Sequence, residues 1–257
     1  MPGNDLPLLV AAAREAGETA RRFTGASARR WDKPGGAGPV TEADLAVNEV
    51  LAARLRDARP GYGWLSEESE DGAGRLDASR VFIVDPIDGT RSFIEGSRAW
   101  AHALAVAEGG VVRAAVIYLP MMDKLYAAAE GQGATLNGTP LRASARTELE
   151  GASVLGAKPA YEPRNWRVPV PGFRRAYRPS LAYRLACVAE GRFDSMLTLR
   201  PTWEWDVAAG DLILREAGAV TSNRRGGALR FNNPVPQVDG ILAANPLLHA
   251  AMLDALA

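Results

Sequence analysis

The run Val81-Phe82-Ile83-Val84-Asp85-Pro86-Ile87-Asp88-Gly89-Thr90 decides how this chain is read. Its first four residues form a short strand apolar enough to be buried. The strand drives into two carboxylates three residues apart, then into a Gly-Thr turn. A buried strand delivers Asp85 and Asp88 rigidly to its own end. Two carboxylates that close repel each other unless a cation sits between them. The pattern is that of a metal-dependent phosphate site.

Around this strand the chain reads as layered helices and mixed sheets. An apolar stripe at Leu9, Ala12, Ala13, Ala16, Ala20 and Phe23 predicts a helix over 6–23. A loop at 32–39 is too rich in Gly and Pro to be regular, and a helix follows from about Thr41 to Ala58, stopped by Pro60-Gly61. Strands are expected over 81–84, 101–107, 111–118 and 124–129, with a hairpin turn at Glu108-Gly109-Gly110 and a turn region over 131–138. The second half offers strands over 153–157, 193–198, 219–222 and 240–244, and helices over 180–190, 206–217 and 246–256. Residues 158–179 read as irregular. A division near residue 140 gives an N-terminal half, 1–140, with most candidate metal ligands, and a C-terminal half, 141–257, with Asp206 and the specificity segments.

Composition narrows the function. The 257 residues are 47% hydrophobic, and 30 Lys+Arg balance 30 Asp+Glu. A zero net charge argues against a nucleic-acid polymer or a membrane surface as partner. No stretch approaches the roughly 20 apolar residues of a spanning helix, and Met1–Asp5 shows no secretory leader. A cytoplasmic location is expected. A lone Cys187 excludes an internal disulfide, and with only His102 and His249 beside it a Cys/His zinc site is not expected. His102, in an apolar strand, is expected to be a core histidine, and His249, on the last helix, to be exposed.

More carboxylates extend the constellation. Glu67 and Glu68 end the segment Gly63-Trp64-Leu65-Ser66, Asp206 follows Trp203-Glu204-Trp205 at a helix start, and Asp44 lies three residues after Thr41. Each has a structural alternative: a solvated acidic loop for Glu67-Glu68, an N-cap for Asp206, a capping box for Thr41 and Asp44. Together they make a hard, oxygen-rich donor set suited to Mg²⁺. Two such ions roughly 4 Å apart can clamp a phosphate and generate hydroxide from bound water. The Gly89-Thr90 turn offers backbone N–H groups to a phosphate. No Walker-type loop is present.

These motifs resemble those of the inositol monophosphatase superfamily. Asp85-Pro86-Ile87-Asp88-Gly89-Thr90 is similar to its signature, Ser66-Glu67-Glu68-Ser69 to its Gly-Glu-Glu element, and Trp205-Asp206-Val207-Ala208-Ala209-Gly210 to its C-terminal Trp-Asp signature. Lys33 and Asp44 match its N-terminal loop and following acid, and residues 131–138 a turn typical of these proteins. The resemblance implies an α-β-α-β-α architecture, often dimeric, and a lithium-sensitive, Mg²⁺-dependent phosphomonoesterase using two or three ions. It implies one ion held by Glu67, Asp85 and the Ile87 carbonyl, and a second held by Asp85, Asp88 and Asp206. A third, looser ion would lie near Glu67 and the Lys33–Pro39 loop. Glu67 and Thr90 would polarise the attacking water, with Asp44 behind Thr90. The substrate phosphate would rest on the Gly89 and Thr90 amides, with Asp206 also facing substrate.

Two departures bear on the substrate, expected to be a small phosphorylated metabolite. Ser66 stands where the family commonly has Gly, and Leu199 stands where inositol-type members place an acid that grips ring hydroxyls. Leu65-Ser66-Glu67-Glu68, Gly89-Thr90-Arg91-Ser92-Phe93-Ile94 and Pro201-Thr202-Trp203-Glu204-Trp205-Asp206 resemble the bacterial bisphosphate-nucleotidase branch, CysQ. That likeness implies 3′-phosphoadenosine 5′-phosphate as substrate in the clearance of a sulfate-assimilation by-product. Inositol 1-phosphate or another polyol phosphate is the alternative, and an inactive partner-binding scaffold the alternative of another class. Lys158, Arg164, Arg174, Arg175, Arg178 and Arg184 are candidates for a second phosphate, Trp203 for flanking a base, and Ser180 for an N-cap.

Overall fold

A computed structural model describes residues 5–23, 27–36 and 38–257. Ala37, inside the predicted 32–39 loop, and the first four residues, read above for a leader, lie outside them. The secondary structure alternates along five layers. Helices α1 (Leu6–Ala20) and α2 (Glu42–Ala58) cover one face of a seven-stranded sheet. Helices α4 (Leu181–Ala189) and α5 (Glu204–Glu216) fill the space between that sheet and a five-stranded one. Helix α6 (Pro246–Ala255) covers the outer face of the second sheet. The short α3 (Thr90–Ile94) follows the signature strand.

Strand periodicity builds these layers. Side chains alternate faces along a strand. Phe82 and Val84 therefore join Leu9, Val47 and Leu51 under α1 and α2, while Val81 and Ile83 join the central core with Val207, Leu212 and Leu185. In the second sheet Leu155, Met196 and Ala243 face the central core, while Val154, Leu197 and Leu242 face α6. A sheet covered on both faces needs strands apolar throughout, which is why 81–84 carries no polar residue.

The larger sheet runs in the order Gly63–Ser66, Arg80–Asp88, Ala101–Glu108, Val111–Leu119, Lys124–Ala129, Ala134–Leu136, Thr139–Pro140. Its first pair is parallel and the remainder antiparallel. The smaller sheet runs Arg174–Ala176, Ser153–Gly156, Ser195–Thr198, Ile241–Ala244, Val220–Ser222. The expected loop at 32–39 is closed by a short antiparallel pair, Arg30–Asp32 with Pro39–Thr41. The expected turn region 131–138 contains the strand Ala134–Leu136, and the irregular 158–179 contains the parallel strand Arg174–Ala176. These strands are only three residues long, too short to show alternation.

His102 is a core residue, as expected. It is fully buried, with Nδ1 on the Pro86 carbonyl and Nε2 without a hydrogen-bond partner among the described residues. Burial pushes its pKa down to about 4. The unfolded chain takes up a proton near pH 6.5 that the folded one refuses until about pH 4. This residue therefore subtracts stability as pH falls across that window, up to about 3 kcal/mol. His102→Gln is expected to flatten this acid loss in urea melts between pH 6.5 and 4. His249 corrects the expectation of exposure: it is buried, with Nε2 2.8 Å from Ser222 Oγ. Its helix packs against the second sheet rather than standing free.

Candidate metal and phosphate site

The signature strand extends to Asp88, and its pairing with Ala101–Glu108 slips between Asp85 and Asp88. The irregularity falls on the Pro86-Ile87 step, where proline withholds a ladder donor. From the other side, α5 brings Asp206 in its first turn. Asp85, Asp88 and Asp206 each offer a carboxylate oxygen, all within 4.8 Å of one another.

Each carboxylate is fixed differently. Asp88 Oδ2 accepts from Ser180 Oγ at 2.7 Å and from the Ala182 amide at 2.5 Å, so the start of α4 holds it. Ser180 is the N-cap it was expected to be, accepting from the Tyr183 amide at 3.0 Å, and its hydroxyl hydrogen serves Asp88 as well. Asp85 is 1% exposed, and its Oδ1 has no hydrogen-bond partner among the described residues. Burial, then the charges of Glu67, Asp88 and Asp206, holds its pKa well above the usual carboxylate range. Burial and Asp88 do the same to Asp206. An unpartnered, buried carboxylate among like charges is costly without a cation. An all-oxygen donor set of this kind fits a hard divalent ion.

Glu67 and Glu68 stand beside this group but not in its tightest cluster. Lys33 bridges them, with Nζ 2.8 Å from Glu67 and 2.6 Å from Glu68. Burial, with Glu67 alongside, raises Glu68 to about 7 against the pull of Lys33. Ser66, in the family's Gly position, is accommodated: its hydroxyl donates to Asn48 Oδ1 at 2.7 Å, tying the strand to α2.

Asp44 makes two sets of contacts. It completes the capping box of α2, its Oδ2 accepting from the Thr41 amide at 2.8 Å. Its Oδ1 accepts from Thr90 Oγ1 at 3.1 Å. The same hydroxyl lies 3.2 Å from the Ile87 carbonyl. Burial raises the Asp44 pKa despite these donors. Gly89 takes φ +98°, a left-handed conformation that side chains resist, at the turn into α3.

The substrate-side expectations divide. Among the six basic candidates, Arg184 alone is buried, and its charge reaches Asp88 and Asp206. Its guanidinium lies 4.3 Å from the Tyr177 ring centre. Arg164 pairs with Glu162, Arg174 with the Gly151 carbonyl, and Arg175 and Arg178 sit over Tyr161 and Phe193. Arg200, whose charge also reaches Asp206, was missed, because a single exposed arginine gives no sequence signal. Trp203 and Trp205 stack at 4.8 Å and 8°. Leu199 packs into the outer core beside α6.

A strand-borne acidic pair thus faces a helix-borne acid between two sheets of a mixed α/β fold, an acidic group able to hold a cation. The model of the inositol monophosphatase family matches residues 5–257, and the chain belongs to that family. It is 35% identical to an inositol-1-monophosphatase of Mesorhizobium japonicum over 98% of this chain and 95% of that one. It is also 35% identical to a histidinol-phosphatase of Mycobacterium tuberculosis, over 100% and 99%. The solved extragenic suppressor protein suhB of Bartonella henselae superposes with a TM-score of 0.80 at 34% identity, covering 96% of each chain. The layered fold read from the sequence is the fold of this group. Among the described residues, no helix is long and apolar enough to cross a membrane.

Proposed function

We propose that this chain hydrolyses small phosphate monoesters with Mg²⁺, acting on substrates of the inositol-1-phosphate type. The observation that carries the reaction class is the Asp85, Asp88 and Asp206 cluster with its unpartnered Asp85 oxygen. The substrate class rests on a relative named for inositol-1-monophosphatase activity that matches nearly the whole chain. Asp85, Asp88, Asp206, Glu67 and the Ile87 carbonyl would hold the ions. Bound there, Mg²⁺ would supply Lewis acidity and a water of lowered pKa.

The chain's own groups do the rest. Thr90 Oγ1 directs its hydrogen toward Asp44, which leaves a lone pair to take a hydrogen bond from the attacking water. Glu67, steadied by Lys33, is the second acceptor for that water. The amides of Gly89 and Thr90 orient the ester phosphate; water forms the new P–O bond as the ester P–O bond breaks, and the alcohol leaves with the proton that the water gives up. Thr90→Ala is expected to lower turnover about 100-fold or more while the thermal midpoint barely moves. A variant that keeps wild-type turnover would remove Thr90 from this role.

A second reading, a 3′,5′-bisphosphate nucleotide as substrate, is favoured by one arrangement. Arg184 and Arg200 offer cations beside the carboxylates, and the Trp203–Trp205 stack offers a flat apolar ledge. Phosphate release from inositol 1-phosphate and from 3′-phosphoadenosine 5′-phosphate, compared by kcat/KM, separates the two. A tenfold preference is about 1.4 kcal/mol of differential transition-state binding. Preference for the inositol ester supports the first reading, and preference for the nucleotide replaces it with the second.

A further inference from the structure

Glu204, two residues before Asp206, is a buried acid that the proposed chemistry does not use. It is 0% exposed. Its Oε2 accepts from the Asn232 amide at 2.6 Å, and its Oε1 from the Asn233 amide at 2.9 Å and Asn233 Nδ2 at 2.7 Å. The backbone amide of Glu204 donates to the Pro236 carbonyl at 2.9 Å. The first residue of α5 is thus bound to the 232–236 loop through both side chain and backbone.

Arg75 grips the same loop from the other half of the chain. It is 4% exposed. Its guanidinium donates to Asn232 Oδ1 at 2.7 Å and to the Asn233 carbonyl at 2.9 Å, and the Arg75 carbonyl accepts from Asn232 Nδ2 at 3.1 Å. Asp71, three residues after Glu68, holds the guanidinium at 2.6 and 2.9 Å. The backbone of Arg75 also packs on Gly63, at the start of the strand that leads to Glu67, so closely that a Cβ there would lie 3.0 Å from it. Asn232 sits at φ +64°, a left-handed conformation unusual for a side-chain-bearing residue.

We infer that Glu204, Asn232, Asn233 and Arg75 form a brace that fixes Asp206 against Asp85, Asp88 and Glu67, making Glu204 and Arg75 positioning residues for the metal site. The inference rests on the proposed use of that site for a cation. Without an ion, repulsion among the carboxylates pushes the start of α5 away from the signature strand. Nothing covalent opposes that push, since Asp206 and Asp85 are on separate elements and distant in sequence. The brace opposes it through buried hydrogen bonds, several of them to charged groups and so stronger than neutral ones. A site held in its binding geometry spares the ion the cost of assembling it.

Glu204→Gln replaces one accepting oxygen with a donor facing a backbone N–H, and so breaks one anchor without changing the size of the side chain. Arg75→Met removes the other grip. Mg²⁺ titrated calorimetrically into the metal-stripped protein is expected to show at least tenfold weaker binding for each variant. The double variant is expected to be no more than about threefold worse than the weaker single one, since both act through one loop. At saturating Mg²⁺ the kcat should stay within about threefold of wild type, and Glu204→Asp should bind more weakly than wild type. Mg²⁺ affinity within threefold of wild type in Glu204→Gln, together with a lowered thermal midpoint, would reduce the brace to fold stability alone. If the wild type binds Mg²⁺ and the variants bind it weakly, but no phosphate ester is turned over, the brace stands and the proposed function falls.

Discussion

Asp85→Asn is expected to lower phosphate release at least about 10³-fold, equal to about 4 kcal/mol of transition-state stabilisation, and at the same time to raise the thermal midpoint of the metal-free protein. The two effects have one cause. Asp85 is buried at the centre of the acidic group, with one oxygen unpartnered and the charges of Glu67, Asp88 and Asp206 around it. A neutral amide of the same shape removes the repulsion and the desolvated charge, so the apo fold gains. It also removes the charge that a divalent cation needs, so the chemistry is lost. Residues retained for function at a cost in stability behave this way. A fall in both activity and apo stability would mean that Asp85 is a structural residue. The check is a pair of melts and a phosphate assay on one preparation.

The second large effect is the dependence of stability on pH and metal. Asp85 and Asp206 have folded-state pKa values well above the ordinary carboxylate value, first through burial and then through neighbouring carboxylates. The native state without metal therefore binds more protons than the unfolded chain once pH exceeds ~4. Stability must then fall as pH rises above that value, until the folded carboxylates have ionised. Each group contributes up to about 1.4 kcal/mol per pH unit across its window. His102 acts in the opposite direction, losing stability as pH falls below 6.5, so its Gln variant is the cleaner background for the measurement. Mg²⁺ is expected to abolish the carboxylate slope and to raise the midpoint with concentration, about 2.7 kcal/mol at a hundredfold excess over its dissociation constant. A metal-free protein whose stability rises from pH 5 to 8 in the His102→Gln background, with no response to Mg²⁺, would contradict the site.

The main helices and long strands were legible because their signals are periodic. The stripe at Leu9, Ala12, Ala13 and Ala16 and the unbroken apolar run 81–84 each allow one reading, and both elements form. Asp85 and Asp88 were legible because two acids ending an apolar strand have few structural uses, whereas Asp206, which read equally well as an N-cap, joined them through the resemblance of its Trp-Asp motif. Long-range pairings were not legible. Nothing local indicates that Ser180 serves Asp88 across 92 residues, or that Arg75 and Asn232 meet across 157. His249 was misread for the same reason, since its burial depends on Ser222 and the second sheet. Leu199 illustrates a limit of reading by position: its residue type departs from the family pattern, yet its side chain packs into the outer core.

The most direct test of the central claim is phosphate release from inositol 1-phosphate by chelator-stripped protein, followed as Mg²⁺ is added back, with Asp85→Asn alongside. The acidic group as described requires no release before Mg²⁺, saturable release afterwards, and about 10³-fold less from the variant at any Mg²⁺ concentration. Release that is independent of Mg²⁺, or equal in the two proteins, would show that the chemistry lies elsewhere in the molecule.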